Sequence, residues 1–262
     1  MAKYIYSHTN KIRKYNANDL SYTGVESQVL NGSDFKNTCD YVFCTSGSIL
    51  YKFSASDLTL IGSINCGATI YTISIDDSYI YVGLHYPIYR LRKYRMSDLA
   101  YIGQTIDAKS TILSSTILGN YVYYGTYEHV SDPKKAYIYK YNKDTFTYVG
   151  RLKFYGPVYC LINNGTYIYA AGEHYQAGTP ISINKYNGNL GLIASSPTFI
   201  TRVYTLAASE DYVYASINST NTPVRKYNAS DLSNTGVASI NFATNQNNLI
   251  VFNADFPRQK KN

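Results

Sequence analysis

The 262-residue sequence contains no tryptophan and four cysteines, which are Cys39, Cys44, Cys66 and Cys160. None of these cysteines forms the C-x-x-C spacing of zinc sites and thiol redox centres. Four cysteines are also too few to make a disulfide framework in a chain of this length. We therefore expect free thiols that are mostly buried, and no cofactor or metal held by them.

Long apolar runs are missing as well. A membrane-spanning helix needs roughly 18 or more consecutive apolar residues, and no such stretch occurs. The opening residues, MAKYIYSHTN, do not contain the apolar segment of a secretory signal peptide. The expectation is a protein without a membrane partner that is cytoplasmic when it is synthesised.

Charged residues are sparse, at 16% of the chain, although the net charge is +7. The basic residues are scattered, except for Arg258, Lys260 and Lys261 in a short basic tail at about 257–262. A nucleic-acid footprint needs clustered basic residues and not merely an excess of them. Nucleic acid is therefore not an expected partner.

Signatures of catalysis are also absent. The sequence has no G-x-S-x-G elbow, Walker loop, dinucleotide fingerprint or H-E-x-x-H motif. The adjacent carboxylates Asp76 and Asp77 fall where a hairpin turn is expected. We predict that the protein is not an enzyme and has no catalytic residues.

What the sequence does contain is a repeat. The pattern aliphatic-x-Lys-aromatic occurs six times, with its lysine at Lys14, Lys52, Lys93, Lys140, Lys185 and Lys226. An aromatic-aliphatic-aromatic motif interleaves with it, beginning at Tyr4, Tyr41, Tyr79, Tyr121, Tyr167 and Tyr212. Each period holds four short strand-like runs, which we label A to D, and no helical periodicity. Repeats of this length with four strands are typical of β-propeller blades.

The repeat predicts an all-β fold, a single six-bladed β-propeller with four antiparallel strands per blade, in one domain over residues 1–262. The first unit begins in strand B and so lacks strand A. We expect residues near 247–254 to supply that strand, which closes the ring and covers the edges. After the lysine-aromatic pair, Asn, Ser and Asp residues predict tight C–D turns, and the leucine that follows is expected to restart the chain as strand D.

The four-strand unit resembles the repeats of YVTN, NHL-like and PQQ-like propellers. The Lys-Tyr-Asn-x-x-Asp-Leu cadence and the Asn-, Tyr- and Ile-rich composition are similar to those of uncharacterised propellers from bacteriophages and AT-rich bacteria. This resemblance implies a virion as one location for the protein. It implies architecture and no particular ligand.

Candidate ligand-binding residues lie in the B–C loops, where nearly all of the length variation falls. The first strand B aromatic and the strand C aromatic of a blade are separated by 11 to 20 residues, whereas the remaining connections are nearly constant. Variable loops on a rigid scaffold commonly carry binding sites. The candidates on blades 3 to 5 are His85, Tyr86, Tyr127, Glu128, His129, Glu173, His174 and Tyr175.

Three interpretations of these loops stay open. The residues can be ordinary exposed loop residues, a polar and aromatic site for glycans, or acid-base or metal-binding groups of a hydrolase or lyase.

The six lysines have two interpretations. They form either a cationic ring for an anionic partner, or a packing repeat in which each stem lies along tyrosines with its ammonium near the aspartate of its own turn, as Lys14 near Asp19.

The prediction for function is a non-enzymatic structural or protein-docking component, with protein subunits of a larger assembly as partners. A carbohydrate-binding module is the alternative, and a hydrolase or lyase is the third.

Overall fold

The structure is a computed structural model that describes residues 4–8, 10–16, 18, 19, 21–28, 30, 32, 34–127, 135–154, 156–173, 181–197, 203–217 and 224–238. These residues form strands and turns, with no helix among them. The strands make six antiparallel sheets in which spatial order follows chain order. The protein is a six-bladed β-propeller, as the repeat predicts.

Among the described residues, blade 1 comprises β1 (Tyr4–His8), β2 (Ile12–Asn16) and β3 (Tyr22–Glu26). Blade 2 comprises β4 (Phe35–Asn37), β5 (Tyr41–Ser46), β6 (Ile49–Ser54) and β7 (Leu60–Asn65). Blade 3 comprises β8 (Ile70–Ile75), β9 (Tyr79–Leu84), β10 (Leu91–Arg95) and β11 (Tyr101–Gln104).

Blade 4 comprises β12 (Ile112–Leu118), β13 (Tyr121–Thr126), β14 (Ala136–Asn142) and β15 (Tyr148–Phe154). Blade 5 comprises β16 (Cys160–Asn163), β17 (Ile168–Ala171), β18 (Asn184–Tyr186) and β19 (Leu192–Ser195). Blade 6 comprises β20 (Val203–Ala208), β21 (Tyr212–Ile217), β22 (Val224–Asn228) and β23 (Asn234–Ala238). The predicted closing strand near 247–254 and the basic tail lie outside the described residues.

The A strands of consecutive blades contact one another, in the order β4, β8, β12, β16 and β20. This places the A strands at the centre and the D strands at the outer edge. The apolar core lies between blades. For example, Tyr81 of blade 3 shares a cluster with Val122 and Tyr141 of blade 4. Cys39 is exposed, whereas Cys44, Cys66 and Cys160 are buried, and all four are free thiols as expected.

The turns between strands C and D differ from the prediction in one respect. Leu58, Leu99 and Leu232 do not begin strand D but precede it in the left-handed conformation, as does Leu190 in the shorter turn of blade 5, with φ between 57° and 63°. Their side chains are buried. Leu99, for example, approaches Gly62 on strand D of blade 2. Burial against the preceding blade therefore offsets the strain of a positive φ in these leucines.

Candidate functional site

The B–C loops begin where strand B ends. Of the candidate residues, the structure describes His85, Tyr86, Tyr127 and Glu173. Glu128, His129, His174 and Tyr175 lie outside the described residues.

His85 and Tyr86 belong to a chain of four aromatic rings on blade 3, which we call the blade 3 aromatic cluster: Tyr71, His85, Tyr89 and Tyr86. The Tyr71 and His85 ring centroids are 5.4 Å apart, those of His85 and Tyr89 are 6.3 Å apart, and those of Tyr89 and Tyr86 are 6.0 Å apart. All three pairs meet edge to face, which is a favoured arrangement of aromatic rings. Tyr71 is 42% exposed and Tyr86 is 66% exposed.

The histidine of this cluster also connects blade 3 to blade 4. Its Nδ1 atom hydrogen-bonds the hydroxyl of Thr111, which lies just before β12. The carbonyl of Thr111 accepts a hydrogen bond of 2.8 Å from the backbone N–H of Tyr127. One threonine thus connects two candidate loops, and Tyr127 itself is 40% exposed.

On blade 5, Glu173 follows β17 and is partly buried. Its carboxylate accepts a hydrogen bond of 3.3 Å from the hydroxyl of Tyr159. Glu173 therefore lies over the inner edge of its blade, since Tyr159 immediately precedes the A strand β16.

Sequence reasoning missed Tyr71, Tyr89 and Thr111. Tyr71 lies where the pairing of β8 with β9 shifts register between Ile70 and Thr72, and a bulge of this kind re-aims a side chain. The sequence does contain a pattern that marks Tyr71. An aliphatic-tyrosine pair opens the A-strand region at Ile70-Tyr71, Val158-Tyr159 and Val203-Tyr204.

The six repeated lysines form a second recurring arrangement. Each ammonium lies over the ring of the first strand B tyrosine of its own blade. The distances from Nζ to the ring centroid are 3.8 Å for Lys14 and Tyr4, 3.8 Å for Lys52 and Tyr41, 3.9 Å for Lys93 and Tyr79, 3.9 Å for Lys140 and Tyr121, 3.8 Å for Lys185 and Tyr167, and 3.5 Å for Lys226 and Tyr212.

The hydrogen bonds of the first five lysines reach the next blade. Lys14 Nζ donates to the carbonyls of Ala55 and Ser56, at 2.9 and 2.7 Å, and Lys52 Nζ donates to the carbonyl of Ser97 at 2.7 Å. The acceptors lie in the C–D turn of the following blade. The expectation that Lys14 is near Asp19 of its own turn is therefore wrong. Asp19 instead accepts hydrogen bonds from the backbone N–H and hydroxyl of Ser21.

Burial separates these lysines from solvent. Lys14, Lys52, Lys93, Lys140 and Lys185 are at most 5% exposed. Burial lowers the pKa of each of these ammonium groups below its usual value. Such buried groups cannot form an exposed cationic ring, so the packing interpretation describes these five positions.

Replacing Lys52 with alanine should destabilise the protein by about 2 kcal/mol, because the buried lysine stem would be lost together with its charged hydrogen bond to the carbonyl of Ser97. Lys226 occupies the same place in the repeat but is only partly buried. Lys226→Ala is the matched control, and we expect it to cost less. Chemical denaturation of both variants measures the difference, and equal costs would contradict the importance of contact with the next blade.

Two searches of the described residues concern metals and membranes. Within the described ranges, no group of three or more His, Cys, Asp or Glu side chains could hold a metal ion. The same part of the chain contains no helix long and apolar enough to cross a membrane.

Comparison with known proteins identifies the architecture. No family model matches the chain, and no curated protein matches its sequence. Solved structures do match. The computationally designed protein Ika8 matches with a TM-score of 0.66 and 10% identity, over 91% of this chain and 71% of Ika8. Hydrazine synthase of Kuenenia stuttgartiensis matches with a TM-score of 0.70 and 11% identity, over 84% of this chain and 70% of that chain.

These likenesses show the fold alone. At about one identical residue in ten, they carry neither chemistry nor partners from those proteins to this chain. The resemblance to bacteriophage propellers stays a prediction.

Proposed function

We propose that the protein is a non-enzymatic structural component that docks other protein subunits through the lower outer edge of its blades, with a second copy of itself as the first partner. "Lower" denotes the side of the C–D turns. The lower rim is defined as the first two residues of strand D in blades 2 to 5: Leu60-Ile61, Tyr101-Ile102, Tyr148-Val149 and Leu192-Ile193.

The exposure of the lower rim is the observation that carries this proposal. All eight side chains are between 42% and 61% exposed. The repeated lysines are explained by contacts between blades, but contacts within the chain leave the rim residues largely open. Exposed apolar residues that recur at the same place on four successive blades can serve as a protein contact site. Blade 6 has Asn234-Thr235 at this place, so the apolar character is confined to part of the ring.

A second copy is a suitable partner because the same apolar pair recurs at four equivalent places. Two copies can therefore meet through like surfaces, as in symmetric dimers. The net charge of +7 opposes this contact by repulsion between copies, and salt would screen that repulsion. The proposed association should consequently strengthen as salt rises. Because the sequence resembles bacteriophage propellers, we propose that the larger assembly to which this protein belongs is a virion.

Light scattering across protein concentration, at low and high salt, tests the proposal. We expect the wild-type protein to associate above the monomer mass of 29.5 kDa, and more so at high salt. A variant with Ile61, Ile102, Val149 and Ile193 all changed to threonine should associate at least about tenfold more weakly, because threonine keeps the strand propensity but reduces the apolar area.

Ser63→Thr combined with Ser195→Thr is the matched control, since both serines are exposed on outer strands. This control should associate like the wild type. A wild-type protein that stays monomeric under every condition, or a rim variant that associates as strongly as the control, would overturn the proposal.

A further inference from the structure

The blade 3 aromatic cluster has features that the proposed docking role does not explain. Tyr71 and Tyr86, at the two ends of the cluster, are 42% and 66% exposed, and His85 and Tyr89 lie between them. Isolated exposed tyrosines are common on protein surfaces. Four rings in successive edge-to-face contact, drawn from an A strand and a B–C loop, form a continuous surface instead.

The cluster is also held in place before any ligand arrives. The hydrogen bond from Nδ1 to Thr111 fixes the His85 ring against blade 4. Ile88, inside the same loop, packs against the core between blades 2 and 3. The backbone N–H groups of Ile88 and Tyr89 both donate to the carbonyl of His85, at 3.0 and 3.2 Å. A loop fixed in this way loses little conformational entropy on binding.

Backbone strain points to the same place. Apart from the turn residues that precede strand D, the non-glycine residues with positive φ in the described part of the chain are Tyr89, at 48°, and Lys109, at 56°. The two lie in adjacent loops, because the N–H of Ala108 donates to the carbonyl of Tyr89 at 2.9 Å. Strain of this kind outside a packing repeat is concentrated at sites that hold ligands.

We propose that the blade 3 aromatic cluster binds a neutral saccharide. Aromatic faces at Tyr71 and Tyr86 suit the flat C–H face of a sugar ring, and the phenol hydroxyls can exchange hydrogen bonds with its hydroxyl groups. Since Nδ1 of His85 is bonded to Thr111, Nε2 is the ring atom left for a ligand; among the described residues no hydrogen bond to it is found.

The ligand is neutral because the cluster itself contains no carboxylate, ammonium or guanidinium group. Two cations lie nearby: the ammonium of Lys109 is paired with Asp107 at 2.9 Å, and Arg90, which follows Tyr89 in the same loop, also interacts electrostatically with Asp107. Asp107 thus binds one cation and attracts the other, so an acidic sugar would have to compete with a carboxylate of the protein for both.

Calorimetric or NMR titration tests the site, with neutral oligosaccharides of glucose, galactose, mannose and N-acetylglucosamine as probes. At least one probe should bind the wild-type protein, and Tyr86→Ala should weaken that binding about tenfold or more, because the variant removes the most exposed ring of the cluster. Tyr86 is 66% exposed, so its replacement should leave the melting temperature unchanged.

Tyr101→Ala is the matched control, because Tyr101 is a comparably exposed tyrosine on the outer strand of the same blade. It belongs to the lower rim, so this variant should retain saccharide binding even if it alters self-association. A failure of the saccharide proposal can therefore be distinguished from a failure of the self-association proposal. Absence of binding by every neutral probe, equal binding by Tyr86→Ala, or binding confined to sulfated glycans or to a proline-rich peptide would overturn the inference.

Discussion

Changing Gly125 to alanine is expected to destabilise the protein by about 3 kcal/mol or more, because overpacking at a rigid contact forces the backbone to move. Gly125 lies in β13, against the junction of blades 4 and 5. A Cβ atom there would lie 2.4 and 2.5 Å from Cγ1 and Cβ of Val158, and 2.8 Å from Oγ of Ser114. These distances are far shorter than van der Waals contact.

The residues that contact Gly125 cannot easily move away from an added methyl group. Ser114 Oγ donates a hydrogen bond of 2.7 Å to the carbonyl of Val158, so the two contacting residues are themselves tied together. Val158 is fully buried in the core between blades 4 and 5. The alanine methyl group would consequently push the two blades apart.

Gly150→Ala is the matched control, since Gly150 lies in β15 of the same blade and a Cβ atom there would meet no atom within 4 Å. We expect this variant to melt at or slightly above the wild-type temperature, because alanine restricts the unfolded chain. Thermal unfolding of the two variants is the measurement. Equal melting temperatures would show that the blades can separate at little cost.

Raising the pH above about 10, the usual pKa of tyrosine, should unfold the protein cooperatively. Burial raises the pKa of many tyrosines in the folded protein, and the pKa of Tyr123, Tyr169 and Tyr186 rises to about 12. The pKa is also raised for Tyr6, Tyr81, Tyr94, Tyr124, Tyr139, Tyr141 and Tyr227.

The sign follows from proton binding. Between about pH 10 and 12 the unfolded chain loses tyrosine protons that the folded protein keeps, so rising pH favours the unfolded state. Each such tyrosine lowers the free energy of unfolding by about 1.4 kcal/mol per pH unit in that window. The buried lysines act in the opposite direction, because their pKa is lowered, and their contribution stops changing above their unfolded pKa of about 10.4.

Tyrosinate absorbance and far-ultraviolet circular dichroism, followed together during an alkaline titration, measure this effect. Tyrosinate from the buried rings should appear in the same narrow pH interval in which the sheet signal is lost. Ionisation of most tyrosines near pH 10 with the sheet signal intact would contradict the burial of these side chains.

Much of the fold follows from the sequence because strands and turns are determined by residues that lie close together in the chain. Each blade is recognisable from alternating apolar residues, and turns such as Ser54 to Asp57 are made by side chains that bond their own backbone, as Asp57 does with Thr59. The register of strands B and C also follows the repeat, since Phe43 pairs with Lys52 and Tyr81 pairs with Lys93.

Contacts between blades did not follow from the same patterns. Lys14 bonds a turn 41 and 42 residues away, and its own aspartate was the nearer candidate in sequence. The candidate site shows the same limit, because His85 was recognised as a loop residue but its contacts with Tyr71 and Thr111 come from other segments of the chain.

The sequence by itself thus determined the number of blades, their strand order and the loops that vary, because each depends on residues a few positions apart. The tertiary structure decided which turn each lysine bonds, why leucines accept a positive φ, and which aromatic rings meet above blade 3. Those outcomes depend on how one blade is placed against the next, and that placement is set by side-chain packing over separations of about one whole repeat.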